Sequence, residues 1–261
     1  MTLAYDTNGP IGTFTIENGP VNVFNPATHA ALYEALRAFE ADPDIKVGVM
    51  RGAGTRAFSA GDDLKFPTPV LDVEQKLTRH FYHTHFADTE PGYPGWDREV
   101  MALRRFKPIV AAVNGWCLGR GFMYLLHLTD IRVAGQSARF GMPEIKFGMG
   151  GGGAMMLAHR HLPRAVAMQL LLTGEPIDAN EAHRVNIINR VVPDAEVGAA
   201  ALAIAEGIAA HPQTAIRTEM EAYLRTEDMD RENALAFAEH LYRLQRLAAS
   251  GQNADIDFKK G

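Results

Sequence analysis

Two glycine-rich turns, each set behind an apolar run of strand character, limit what this 261-residue chain can fold into more than any other feature. The first is Ala57-Phe58-Ser59-Ala60-Gly61-Asp62-Asp63-Leu64; the second is Asn114-Gly115-Trp116-Cys117-Leu118-Gly119-Arg120-Gly121. A strand that ends in such a turn and feeds a helix is the building unit of α/β architecture. The turn also leaves backbone N–H groups free to point at one anionic oxygen. A carboxylate follows at Glu144, in Phe140-Gly141-Met142-Pro143-Glu144-Ile145. Convergent amide donors with a nearby proton carrier are the equipment that stabilises an enolate.

The rest of the composition narrows the field. Hydrophobic residues make up 47% of the chain, enough for a buried core in one large domain or a domain with an appendage. A formal net charge of -5 argues against nucleic acid as the main partner. Cys117 is the single cysteine, which rules out an intrachain disulfide and reads as a small packing residue in an apolar turn. The N-terminal stretch from Met1 to Asp6 lacks the basic and apolar regions of a signal peptide, and no apolar run reaches membrane-spanning length. A cytoplasmic protein that does not contact membranes is expected.

Periodicity predicts strands at Gly12 to Glu17, Ile45 to Met50, Ile109 to Val113, Thr129 to Ala134 and Ala138 to Phe140. A helix is expected from Ala27 to Glu40, ended by Asp42-Pro43, and another after Gly121 through Phe122, Met123, Leu125 and Leu126. Gly148 to Gly153 reads as a loop before a helix at Ala154 to His161, and the remainder as almost wholly helical. Between Phe66 and Glu99 the chain is irregular, rich in proline and glycine, and has the character of a lid or substrate pocket. Its His80, His83 and His85 do not follow a metal-ligand spacing, so no metal is expected. No P-loop motif occurs, and the Gly-x-Gly of the 148–153 loop lacks the strand and distant acid of a dinucleotide fingerprint.

At these residues the chain resembles the crotonase superfamily, the enoyl-CoA hydratase/isomerase family. The resemblance runs from about Gly12 to Pro193. It is carried in order by Pro20-Val21-Asn22-Val23, the Phe58–Leu64 turn, Lys107–Gly115, Phe140–Glu144 and Leu172-Thr173-Gly174-Glu175-Pro176-Ile177. It implies an α/β fold, a crotonase-like spiral of ββα units over residues 1–194 with the irregular insertion 66–99. A C-terminal helical region over 195–261 is then expected to build a homotrimer or homohexamer. The implied partner is an acyl-CoA thioester, with CoA arriving as part of the substrate and no separate cofactor.

The resemblance also implies roles for single residues. The N–H groups of Ala60 and Arg120 are expected to hold the thioester oxygen, and Glu144 to move protons. Val21, Val23, Asp62, Asp63, Leu64, Gly119 and Pro143 fall where the family lines its CoA-ester pocket. Asp62 and Asp63 read equally well as turn and helix caps. One departure stands out: hydratases of the family carry a second glutamate where this chain has Met123. One carboxylate serves a proton shuttle, as in single-glutamate isomerases, so isomerase or lyase-type chemistry is expected ahead of simple hydration. The Asn114-Gly115-Trp116-Cys117 turn locally resembles hydroxycinnamoyl-CoA hydratase-lyases. Tyr82, Tyr93 and Tyr124 are candidates for a second polar group, and His127 shares a helix face with Met123. Phe258 and Lys259 keep the residue types that relatives use near a neighbouring subunit's adenine site. A non-catalytic acyl-CoA binder and a cofactor-free hydrolase of carbon–carbon bonds remain alternatives.

Overall fold

The computed structural model describes residues 2–67, 70–81, 96–150 and 162–249. Among the described residues, ten strands fall into two sheets. The larger joins β1 (Leu3–Asn8), β2 (Ile11–Ile16), β3 (Val47–Gly52), β5 (Ile109–Val113), β7 (Ile131–Gly135) and β10 (Arg190–Val192), in that spatial order. The smaller joins β4 (Ala57–Ser59), β6 (Trp116–Leu118), β8 (Arg139–Gly141) and β9 (Ile177–Asp178). Three times in succession a strand of the large sheet is followed by one of the small sheet: β3 then β4, β5 then β6, β7 then β8. All neighbouring pairs are parallel except β1–β2 and β8–β9. This winding is the expected spiral.

Burial explains the pattern of the large sheet. Every residue of β5 is buried, so Ile-Val-Ala-Ala-Val shows no alternation, as a strand covered on both faces should. One face packs Phe14, Ile16, Met50 and Ala111 against helix α1 (Pro26–Ala41), whose Leu32, Leu36 and Phe39 point inward. Asn25 caps α1 by accepting from the Thr28 N–H at 3.0 Å, and Pro26 starts the helix at no loss of a donor. On the other face Ile11, Val47, Val49, Val110 and Val133 meet a helix of the C-terminal region, described below.

Several elements differ from the sequence reading. β1 was not expected, because its half-exposed Tyr5-Asp6-Thr7-Asn8 run lacks apolar alternation; it is tied to β2 by the tight Gly9-Pro10 turn. The strands β4 and β6 lie inside what reads as glycine turns, and at three residues each they are too short to show a period. Within the stretch read as almost wholly helical, β9 and β10 pair with β8 and β7. The segment read as irregular contains α2 (Val73–Phe81) and the start of α3 (Trp96–Ala102).

Helix α4 (Arg120–Leu128) follows β6, and a 3-10 turn, Pro143–Phe147, follows β8. Beyond it run α5 (Arg164–Thr173), α6 (Ala179–Arg184), α7 (Val197–Ala209), α8 (Gln213–Thr226) and α9 (Arg231–Ala249). α7 lays Val197, Ala201, Ala205 and Ala209 against the large sheet and so completes its second core. The helices α8 and α9 pack against one another. Among the described residues no helix is long and apolar enough to cross a membrane. Tyr82, His83, His85, Tyr93, the Gly151–Gly153 run, the helix expected at Ala154 to His161, and Phe258 and Lys259 lie outside the described residues.

Candidate active site

The small sheet assembles the site. Its parallel strands end side by side, with Ser59 opposite Cys117 and Leu118 opposite Gly141. β4 therefore runs into the 60–64 turn, β6 into Gly119 and the start of α4, and β8 into the Pro143–Phe147 turn that carries Glu144. Ligands of α/β folds gather at the carboxyl ends of such strands. Asn22, fully buried with a positive φ of 52°, pins the preceding loop by donating its amide to Ala53 O at 3.0 Å and Ala57 O at 2.8 Å.

The two glycine turns touch. A Cβ built on Gly61, where φ is +93°, would lie 3.2 Å from the Arg120 nitrogen and 3.0 Å from the Leu118 oxygen. The amide expected at Ala60 needs correction. Its N–H donates to Val21 O at 2.9 Å and is spent within the fold. The Gly61 N–H reaches Ser59 Oγ at 3.1 Å, and the Asp63 N–H reaches Phe24 O at 2.7 Å. Among the described residues, the Asp62 N–H has no acceptor, and neither has the Arg120 N–H at the first position of α4. A first-turn amide also carries the positive end of the helix dipole. The unspent donors beside Gly61 are thus Asp62 and Arg120.

Glu144 closes the triangle. Its Oε1 lies 2.7 Å from where a Gly119 Cβ would be, and that same point is 3.9 Å from Gly61 Cα. Its other oxygen, Oε2, is buried and has no hydrogen-bond partner among the described residues. Burial pushes the carboxyl above its usual range; the Asp62 charge adds to this and Arg120 opposes it. Met123 lies one turn into α4, only 9% exposed and part of the apolar core. No proton carrier stands at that position.

The remaining residues expected at the site gather round the first turn. Val21 and Val23 are half-buried in the loop held by Asn22; Asp63 caps the turn by accepting the Lys65 N–H at 3.0 Å. Leu64 is exposed, and Pro143 begins the turn that presents Glu144. Tyr124 is fully buried and points away from solvent; its hydroxyl bonds His29. His29 and Asp97 escaped the sequence reading, yet both join the charged surroundings of the turns: His29 Nε2 is 3.4 Å from Asp62, and Asp97 pairs with Arg120 at 3.0 Å. A histidine on the inward face of α1 looks like any core residue; the opposite charges at 62 and 120 were the signal available.

Comparison with known proteins identifies the family. The enoyl-CoA hydratase/isomerase family profile matches residues 6–253. An (E)-benzylidenesuccinyl-CoA hydratase of Thauera aromatica is 32% identical over 87% of this chain and 83% of its own length. A carnitinyl-CoA dehydratase of Salmonella typhi is 33% identical over 85% of this chain and 80% of its own. The crystal structure of an enoyl-CoA hydratase/isomerase from Mycobacterium paratuberculosis superposes with a TM-score of 0.75 at 26% identity, covering 93% of this chain and 90% of that one. The glycine turns and the Pro-Glu element that carried the resemblance are the parts that meet at the site, and this chain belongs to the enoyl-CoA hydratase/isomerase family of the crotonase superfamily.

Proposed function

We propose that the protein acts on an acyl-CoA thioester, holding the thioester oxygen between the Asp62 and Arg120 amides while Glu144 takes and returns a proton at or beside the α-carbon. The observation that carries this is Glu144 itself: a buried carboxylate oxygen without a partner among the described residues, at the junction of two turns with unspent amides. Burying such a group without a partner destabilises a fold, and the upward push that burial gives its pKa is in the direction that makes a carboxylate a better base. Each amide donor is worth on the order of 10²–10³ in rate. The steps need only amides and one carboxylate; CoA enters as part of the substrate. Val21, Val23, Asp63 and Leu64 flank the first turn, and Gly119 and Pro143 the second and third, which suits them to line the thioester's approach.

Isomerase or lyase-type chemistry fits this site better than simple hydration. Adding water to an enoyl thioester is served by one group that activates water and another that delivers a proton. Here the position for the former holds a buried methionine. Two relatives are named a hydratase and a dehydratase, so addition or loss of water is the competing reaction. In this chain Glu144 would serve both directions of such a reaction alone. The direct test is incubation with butyryl-CoA in D2O. Deuterium entering the α-position by mass spectrometry is the expected result. Butyryl-CoA that binds without exchanging would overturn the enzymatic reading in favour of a binder, and failure to bind any CoA thioester would favour the carbon–carbon hydrolase.

Met123→Glu probes the same point from the other side. It should raise hydration of crotonyl-CoA, followed by loss of the enoyl absorbance, by at least about tenfold. The gain should grow as pH rises, because burial holds the new carboxyl protonated at lower pH. No gain at any pH would mean that position 123 does not face the reacting carbon.

The assembly we propose is a homotrimer or homohexamer. On α8 and α9, Tyr223, Leu235, Tyr242, Leu244 and Leu247 are each more than half exposed, an apolar display that single solvated helices do not need. Light scattering at micromolar concentration should give three or six times the 28.6 kDa chain mass. A monomer would count against this role for the C-terminal helices.

A further inference from the structure

The two residues whose amides are unspent are also joined through their side chains. Arg120 Nε lies 3.4 Å from Asp62 Oδ2, so an ion pair crosses from one glycine turn to the other. Each partner is held again from behind. Arg120 Nη2 reaches Asp97 on α3 at 3.0 Å, and its guanidinium lies 5.9 Å from the centre of the Tyr124 ring. Asp62 Oδ1 faces His29 Nε2 on α1 at 3.4 Å, and His29 Nδ1 meets the Tyr124 hydroxyl at 2.8 Å. Phe24 stacks on the His29 ring at 5.2 Å and meets Tyr124 edge-on at 4.9 Å. The Asp62 carboxylate can only accept, which puts a hydrogen on Nε2 and leaves Nδ1 to accept from the Tyr124 hydroxyl, a phenol that burial keeps protonated.

This is more than a surface ion pair, which would contribute little. Asp62 is 46% exposed, but the Arg120 and Asp97 side chains that back it are only 18% and 13% exposed, and the group is drawn from α1, the first turn, α3 and α4. Its charges also have a reason to be paired. A carboxylate on residue 62 sits beside that residue's own amide, where it would repel a developing enolate oxygen. Arg120 cancels that field and, in doing so, draws its own long side chain off the amide it carries.

We propose that Asp62 and Arg120 form a charge clamp across the two turns, with His29, Tyr124 and Asp97 as its supports, that positions the amide donors and neutralises the carboxylate facing the enolate. These side chains are positioning residues; the inference rests on the proposed role of the two amides. The clamp also acts on Glu144, which feels Asp62 and Arg120 in opposite senses. Removing Arg120's charge leaves Asp62 to push the Glu144 carboxyl further up, and removing Asp62's charge lets it fall.

Three shape-preserving variants test it by α-deuterium exchange of butyryl-CoA across pH: Arg120→Gln, Asp62→Asn and the double variant. Arg120→Gln should lower kcat at least about tenfold with KM little changed, the loss equivalent to about 1.4 kcal/mol. Its acid limb should move to higher pH, and that of Asp62→Asn to lower pH. The double variant should recover most of the Arg120→Gln loss and return the limb towards wild type, as coupled residues do. Wild-type rates and limbs in Arg120→Gln would overturn the clamp, and so would losses that simply multiply in the double variant. A change confined to the thermal midpoint, with kcat unmoved, would also overturn it and reduce the pair to a structural tie. Glu144→Gln run alongside separates the two ideas: exchange that survives it sinks the enolate reading, whereas exchange lost there but indifferent to the three charge variants sinks only the clamp.

Discussion

Glu144→Gln is expected to cut turnover by about two to four orders of magnitude, the usual worth of a positioned general base, while leaving thioester binding nearly intact. Glutamine keeps the shape and much of the hydrogen-bonding capacity, so only the proton is lost. The variant should also be no less stable than wild type near neutral pH. The folded-state carboxyl is raised above its unfolded value, chiefly by burial, so the folded protein binds a proton more readily than the unfolded chain. Stability therefore falls as pH rises from the unfolded pKa towards the folded one, and glutamine removes that loss. Activity down and thermal midpoint level or up, measured together by exchange and calorimetry, would mark a group kept for chemistry. A variant that turns over as fast as wild type would remove Glu144 from the mechanism.

The parts of the site with local signatures were legible in the chain. Glycine turns behind apolar runs, and a Pro-Glu element after a short strand, need only a few neighbouring residues to be recognised. Whether an amide is available cannot be read that way. Ala60 looks as suitable as Asp62 until Val21, from a distant loop, is seen to accept its N–H. The same holds for His29, whose meaning comes from Asp62 and Tyr124 rather than from the apolar helix face around it. In the fold, the long buried strands and amphipathic helices were clear. Of the three-residue strands in the small sheet, β8 was legible at Ala138 to Phe140, whereas β4 and β6 were not, since pairing across the spiral makes them strands and no period records it. β10 hid for a similar reason: a short Arg-Val-Val run becomes a strand because β7 offers it an edge. Position 62 shows how the two levels combine, with a local turn motif supplying the amide and tertiary contacts deciding that its carboxylate is tied down.

Gly119→Ala should do the most damage for the smallest change in mass. Gly119 has φ 52° and ψ -125°, a conformation that glycine adopts without strain and an L side chain does not. The backbone strain alone is on the order of 1–3 kcal/mol. Relaxing it is hindered on both sides, because the Gly119 N–H is bonded to Gly141 O at 2.9 Å and its carbonyl accepts the Met123 N–H at 2.9 Å. The added methyl would also stand 2.7 Å from Glu144 Oε1, closer than carbon and oxygen normally pack, so the carboxylate must swing away or the start of α4 must shift. Either movement separates the proton carrier from the Arg120 amide, and the rate should fall by at least about 10²-fold, as for loss of an oxyanion donor. Stability and rate can then be told apart with Glu144→Ala. Adding it to Gly119→Ala removes the clash but not the strain, so the thermal midpoint should recover in part while activity stays lost. If Gly119→Ala keeps both the midpoint and the exchange rate of the wild type, Glu144 does not lie against this turn, and the triangle of two turns and one carboxylate falls with it.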